Sequence, residues 1–551
     1  MGGERGVAEQ RKRGKLTVRE RVELLADPGT FREFMGLMGA GSYAPDDPRQ
    51  LVDFLPKGAV DGVCKLNGRK AIFHAGDFTV RGGSGGSGGG MGMELSAKQR
   101  AIEWRLPYIR LLDAAGGSVA TFEEMGRTYL PDGNQNGQYD VELLRISPIA
   151  SVVLGAAAEL PAVECPLSHF SVMVHDISQI MPGGPVVVKQ ALGYDITKEE
   201  LGGEQIHAYV SGVCDNLADT EEHAFEMVRR FLSFLPTNVW EMPPRGPQSD
   251  PIDRREEMLL SVMPRDKTQP YDVHEILDAV LDRGSFFEIA PNYGQTRITG
   301  LARVNGYPCG VMANNPIHSG GSTDVAGGSK VMRLIRLCDT FHLPLVSFCD
   351  EPGFMVGLES EKLGIERAGA QLICTTCQSI VPFICFIMGR MFGVAGQCQH
   401  RPSGMFRRYA WPSARWGSMP IEGGTQAAYK REIESSPDPD ARRAEIEASL
   451  QAIASPFRTA EATGQDIIDP RDTRLLLVGS SKNTALQKNR NSVLKKLVSN
   501  RVHRGCPDRA AHAARPNVRA LHAVRPWRPA PLVTMEPLPF PAKEHNLFDC
   551  R

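Results

Sequence analysis

The chain has 551 residues, 42% hydrophobic and 23% charged, with a formal net charge of −1 at pH 7. These are the proportions of a folded globular protein with room for more than one core, and the near-zero charge gives no electrostatic case for nucleic acid or an anionic membrane. No apolar run of about 18 residues could span a bilayer, no secretory segment follows Met1, and the 12 cysteines are scattered, which points to a cytoplasmic chain with reduced thiols (mitochondrial matrix in a eukaryote, though no transit peptide is clear).

Residues 8–34 read as a basic, amphipathic helical entry, with Arg11, Lys12, Arg13 and Lys15 followed by Val18, Val22 and Leu25. That charge run is either a phosphate contact or a solvated face. Short apolar runs at 70–75 and 107–113 read as strands, and Phe78-Thr79-Val80 as another. Gly82 to Gly92 is a Gly/Ser-rich loop, either a flexible connection or a bare-backbone contact for phosphate or thioester. No G-x-x-x-x-G-K-[ST] pattern is present, which argues against a nucleotide P-loop. The apolar run Ile149 to Gly155 leads into the small residues Ala156 to Ala162. A Pro-rich linker covers 240–270. Beyond it, 307–313, 344–350 and 383–389 read as strands, 328–338 as a helix, and Arg390 to Gly396 as a small-residue turn. Cys374-Thr375-Thr376-Cys377 is a lone C-x-x-C, better explained by a packed helix than by metal or redox chemistry. After about Leu476, Arg, Pro and His accumulate and periodicity fades, as in a poorly ordered tail.

The chain repeats itself. Asp27-Pro28-Gly29-Thr30-Phe31 returns as Asp282-Arg283-Gly284-Ser285-Phe286, and Asn67-Gly68 and Gly82-Gly83-Ser84 return 238 residues later as Asn305-Gly306 and Gly320-Gly321-Ser322. Asp113 answers Asp350 at an offset of 237, and Gly155 answers Gly389 at 234. So slow a drift implies two copies of one α/β domain, with the site where the copies face each other. Strands alternating with helices place ligands beyond the carboxyl ends of strands. The expected division is an N-terminal domain at 1–240, a linker at 241–270, a C-terminal domain at 271–477 and an atypical tail at 478–551.

Two equivalent turns, after Gly155 and after Gly389, could converge unpaired backbone N–H groups on an oxyanion. Close helix–strand packing would demand the same small residues. No G-x-S-x-G or H-E-x-x-H occurs, and His175, His207, His318, His342 and His400 are isolated. Asp350-Glu351 at a strand end fits capping as well as catalysis. No metal ligand set is expected.

Longer motifs are recognisable. Arg13-Gly14-Lys15-Leu16-Thr17-Val18-Arg19-Glu20-Arg21, Glu200-Leu201-Gly202-Gly203, Ala208-Tyr209-Val210-Ser211-Gly212-Val213, Ala313-Asn314-Asn315-Pro316, Trp411-Pro412-Ser413-Ala414-Arg415 and Ile468-Asp469-Pro470-Arg471-Asp472 follow in order over residues 8–476. Together they resemble the biotin-dependent acyl-CoA carboxylase carboxyltransferase (β) subunits, of the propionyl-CoA and methylcrotonyl-CoA type.

The resemblance implies two tandem crotonase-like domains and a homo-hexameric core. The N-domain would bind a short acyl-CoA (acetyl-, propionyl- or methylcrotonyl-CoA). The C-domain would bind carboxybiotin brought by a biotin carboxylase/biotin carboxyl carrier partner. No nucleic acid or membrane partner is implied. Carboxyl transfer to the α- or γ-carbon needs one oxyanion hole for the thioester and one for the biotin ring. By position the biotin-side hole falls on Gly393, Val394 and Ala395, with Val394 a departure from the family's small residues. The thioester-side hole falls on Leu160-Pro161, with Ala162 next, and proline lacks an N–H. Either Leu160 or Ala162 donates instead, or that hole is impaired. Gly82, Gly83, Gly116, Gly117, Gly353 and Phe354 are the expected substrate and cofactor contacts. Alternatives are a methylmalonyl-CoA-type decarboxylase and an impaired paralogue that assembles with an active subunit.

Overall fold

The computed structural model describes residues 1–83, 95–117, 123, 126–128, 133–266, 269–399 and 405–483, and the sequence repeat emerges there as two eight-stranded sheets with identical wiring. In the first, β1 (Arg32–Phe34), β4 (Ala59–Leu66), β5 (Arg69–Gly76), β6 (Tyr108–Ala114), β7 (Ile149–Ala158), β8 (Phe170–Val174) and β10 (Asn216–Ala218) lie in that order, and β9 (Gln179–Met181) joins the end of β7. In the second, the order is β11 (Phe287–Glu288), β12 (Arg297–Val304), β13 (Tyr307–Asn314), β14 (Leu345–Glu351), β15 (Phe383–Phe392), β16 (Phe406–Ala410) and β18 (Asp466–Ile467), with β17 (Arg415–Gly417) on the end of β15. Between β1 and β4 in the chain, β2 (Gly39–Tyr43) and β3 (Leu51–Pro56) form a separate exposed hairpin.

Local chemistry dictates the duplicated register. Leu66 pairs with Arg69 and Val304 with Tyr307, leaving Asn67-Gly68 and Asn305-Gly306 as two-residue hairpin turns. All four residues have φ between 49° and 79°, the geometry an Asn-Gly type I′ turn supplies. Asp27 accepts from the Asn67 and Gly68 amides at 2.9 and 2.7 Å, and Asp282 does the same for Asn305 and Gly306. The first two pairings of each sheet are antiparallel and the later ones parallel, so helices must cross over. β14 is buried along its whole length, as a strand covered on both faces requires.

The halves share one core. The Phe170 ring stacks on Phe231 at 4.9 Å and meets Phe287 edge-on at 5.4 Å, so the first sheet, its covering helix Glu221–Phe234 and the second sheet touch at one point. Asn216 clips the two sheet edges: its amide donates to the Glu288 carbonyl and accepts from the Ala290 N–H, both at 3.0 Å.

Three expectations change. Phe78-Thr79-Val80 is a turn, because Asp77 draws the Thr79 N–H and hydroxyl back to its carboxylate and the Val80 N–H to its carbonyl. The helical entry is two helices, Gly3–Lys12 and Val18–Leu25, the second closed by a Thr17/Glu20 capping box. β7 and β15 run past Gly155 and Gly389 because β9 and β17 pair with their ends. Residues 484–551, and most of the Gly/Ser-rich loop, lie outside the described residues.

Candidate functional site

Each half buries an aspartate near the carboxyl end of the fourth strand in its sheet, β6 and β14. A Cβ at Gly155 would sit 2.1 Å from Asp113 Oδ1, and one at Gly389 would sit 2.3 Å from Asp350 Oδ1. Glycine is therefore what lets each neighbouring strand pass its acid. The counter-charges differ. Asp113 takes Lys15 Nζ and Arg21 Nη1, both at 2.8 Å, and Arg21 continues to Glu221 at 2.6 Å and the Leu154 carbonyl at 2.8 Å. Asp350 takes Arg390 Nε at 2.8 Å and the Tyr271 hydroxyl at 3.1 Å.

Of the basic run near the N-terminus, Lys15 is buried against Asp113, whereas Arg11, Lys12 and Arg13 are exposed. Arg21 is 1% exposed, while Arg11 and Arg19 pair with Glu20 and Glu33. Burial pushes the Lys15 ammonium down, only partly offset by Asp113. Asp350 and Glu351 are structural in the same sense, since Glu351 accepts from Arg297, Thr323 and Asn314 at 2.6–2.8 Å. Of the isolated histidines, His207 and His342 each meet a main-chain carbonyl, at 2.7 and 2.8 Å, and His175 meets Glu204. Cys374 and Cys377 are exposed on the helix Ile365–Gln378, and no group of three metal-ligating side chains exists among the described residues.

The turns beyond β7 and β15 are the equivalent sites. β15 passes directly into the short helix Gly393–Gln397. Gly393 opens it at φ 60°, and a Cβ there would meet nothing closer than the Ser418 carbonyl at 3.5 Å. As first-turn residues, Gly393, Val394 and Ala395 have amides without acceptors one turn back in the helix. Val394 is 51% exposed, so the turn opens outward. Gly353 and Phe354 lie past the end of β14. The Gly353 carbonyl accepts from Thr323 N–H at 3.1 Å, and the Phe354 ring fills the space above Gly369.

At the same offset that relates Gly155 to Gly389, Gly393 corresponds to Glu159, Val394 to Leu160 and Ala395 to Pro161. Glu159 shares the positive φ of its glycine counterpart, 59° against 60°, and with ψ −120° it lies in a region that side chains avoid. Its carbonyl accepts the N–H groups of Ala162 and Val163 at 3.1 and 3.3 Å, so the Ala162 amide is taken up within the turn. Leu160 begins the short helix Leu160–Glu164 and its N–H has no acceptor inside that helix. The Glu159 carboxylate folds back to accept the Gly117 N–H at 2.7 Å. A Cβ on Gly116, whose φ is 84°, would lie 2.6 Å from that carboxylate. Gly82 and Gly83 pack against the same strand end, with the Ala115 N–H donating to the Gly82 carbonyl at 2.8 Å. One edge of the first half therefore gathers Gly82, Gly83, Gly116, Gly117 and the Glu159–Ala162 turn. The corresponding edge of the second gathers Gly353, Phe354 and the Gly393–Ala395 turn. Glu159 went unread in the sequence, and its only signal there was the register that sets it opposite Gly393.

The match to known proteins is extensive. Residues 9–499 fit the model of the carboxyl transferase domain. The chain is 34% identical over 488 residues to a propionyl-CoA carboxylase carboxyltransferase subunit of Haloferax mediterranei, covering 87% of this chain and 92% of that protein. It is 31% identical to the methylmalonyl-CoA decarboxylase subunit alpha of Veillonella parvula, covering 87% and 92%. Among solved structures, the transcarboxylase 12S hexamer with hydrolysed methylmalonyl-coenzyme A bound superposes with a TM-score of 0.78 at 28% identity, over 93% of this chain and 95% of that one. The twin sheets are accordingly a tandem pair of crotonase-like folds, and the chain belongs to the carboxyl transferase domain family.

Proposed function

We propose that this chain is the carboxyltransferase subunit of a biotin-dependent acyl-CoA carboxylase, acting on a short acyl-CoA of the propionyl type. The observation that carries this reading is the family match across 9–499 on a fold that ends two equivalent strands in amide-bearing turns. The first half is assigned to the CoA thioester and the second to the biotin ring. Carboxybiotin, when bound, supplies the carboxyl group and a ring oxygen that becomes anionic as the carboxyl leaves.

The chain's own contribution is electrostatic. At the second turn the open amides of Gly393, Val394 and Ala395 suit an anionic ring oxygen, because first-turn N–H groups and the helix dipole point the same way. Phe354 and Gly353 border that edge. At the first turn the Leu160 N–H is the donor placed for the thioester oxygen as the enolate forms. Pro161 offers none and the Ala162 N–H is occupied. Each such donor is typically worth about 10²–10³ in rate. Gly82, Gly83, Gly116 and Gly117, which carry no side chains, are assigned to the border of the CoA ester site, although the Gly117 N–H is already held by Glu159.

The assembly is read as a homo-hexamer, after the transcarboxylase relative, serving a biotin carboxylase and biotin carrier partner. Residues 1–240 and 271–477 are the two functional domains, with 241–270 between them. The cytoplasm or mitochondrial matrix is the setting. No helix among the described residues is long and apolar enough to cross a membrane.

The test is transfer of labelled carboxyl from a carboxylated biotin carrier to acetyl-, propionyl- and methylcrotonyl-CoA by the purified chain. Propionyl-CoA is expected to be carboxylated fastest, and no transfer to any of the three defeats the proposal. The single donor left at the first turn favours one rival, an impaired paralogue that assembles with an active subunit. Under that reading, replacing Leu160-Pro161 with Gly-Gly creates activity in a chain that otherwise has none.

A further inference from the structure

A cavity of about 350 Å³ lies on the seam between the two halves, away from both turns. Leu144 from the first half and Ile289 and Leu337 from the second give it apolar walls. One side is the helix Val325–Phe341, which sends Lys330, Arg333 and Arg336 into it at steps of three residues. Asp215 is the one acid in the lining, and Arg333 consumes it with both terminal nitrogens, at 2.5 and 3.1 Å.

The other two cations differ: Lys330 is buried and Arg336 is exposed. Lys330 is only 4% exposed, yet among the described residues its ammonium gives a single hydrogen bond, to the Tyr293 carbonyl at 3.0 Å. Burial lowers its pKa to about 8; Glu288, Asp324 and Asp215 favour the charge from farther off, and Arg297 opposes it. The Arg336 guanidinium has no acceptor among the described residues. An ammonium carries three donors, and a buried polar group without partners is costly. The cavity therefore combines unused cationic donors with a wall that repels a fully hydrated ion.

We propose that this cavity is a binding site for a short-chain monocarboxylate, its carboxylate held by Lys330 and Arg336 and its alkyl chain laid against Leu144, Ile289 and Leu337. A carboxylate has the acceptors the buried Lys330 ammonium lacks and gives the exposed Arg336 an anionic partner, and charge-assisted bonds of this kind are the strong ones. Inorganic phosphate has no alkyl body to cover the apolar wall and needs donors around every oxygen. Because the walls come from both halves, the ligand spans the seam and stabilises the folded chain.

The experiment is calorimetric titration of the full-length protein with butyrate at pH 7, with inorganic phosphate as a parallel arm. Thermal midpoints are recorded in each. One butyrate per chain, with a raised midpoint and no saturable phosphate binding, is the expected result. Lys330→Met should weaken butyrate at least about tenfold, the scale of one lost charge-assisted bond. Should that variant fail to fold, the exposed Arg336→Gln keeps the question open and should weaken binding about threefold to tenfold. Butyrate must still bind when propionyl-CoA is saturating. Absence of saturable butyrate binding, phosphate binding as tight as butyrate, unchanged affinity in Arg336→Gln, or displacement by propionyl-CoA each overturns the proposal.

Discussion

Replacing Glu159 measures how much the first turn is strained. Glu159 sits at φ 59° and ψ −120°, where its structural counterpart is Gly393. A side chain in such a region costs about 1–3 kcal/mol. Glu159→Gly removes that cost. It also loses the hydrogen bond from Gly117 and gains unfolded-state entropy, each worth about 0.5–1.5 kcal/mol. The terms nearly cancel, so Glu159→Gly should unfold within about 1 kcal/mol of the parent. Glu159→Ala also loses the hydrogen bond but keeps the strained Cβ, and should be the less stable of the two by about 1 kcal/mol. This reverses the usual order, in which alanine outlasts glycine. Urea unfolding of the three proteins, followed by fluorescence at matched concentrations, ranks them. If the alanine variant equals or exceeds the glycine variant, the turn is not strained and the correspondence with Gly393 has no energetic meaning.

Val394→Pro deletes one amide from the second turn at a helix position that tolerates proline, and should cut carboxyl transfer by about 10²–10³ with the fold intact by circular dichroism. Gly155→Ala and Gly389→Ala each drive a methyl onto a buried aspartate, and both should lose at least about 2 kcal/mol in chemical denaturation. Arg21→Met strands Asp113 and Glu221 without their shared cation, at a cost of about 3–5 kcal/mol, seen as a large fall in thermal midpoint. Burial works against ionisation of Asp61, but His74 and Lys57 outweigh it and bring its pKa to about 2 from 3.8. Its folded pKa is depressed, so its contribution is present above pH 3.8 and disappears as pH falls through about 2. Stability titrations should show Asp61→Asn with a shallower decline in that acid window.

The sequence by itself determined that the protein is double. Asn67-Gly68 recurs as Asn305-Gly306 and Asp27 as Asp282; that each pair is a type I′ hairpin clamped by its aspartate came only with the structure. Long motifs also placed the chain in its family. Burial and partner choice could not be read that way. Lys15 and Arg21 look like a solvated basic run until a strand about 90 residues away brings Asp113 beneath them, since ion pairing depends on a third dimension that spacing does not encode. Glu159 looks like an ordinary surface acid until the sheet forces it into a glycine's backbone and Gly117 captures its carboxylate. Lys330 looks like one charge on an amphipathic helix until the two halves close a cavity around it. Repetition is written along the chain. Which charges are buried, and against what, was decided only when the two sheets packed on one shared core, because the cost of desolvation is set by neighbours remote in sequence.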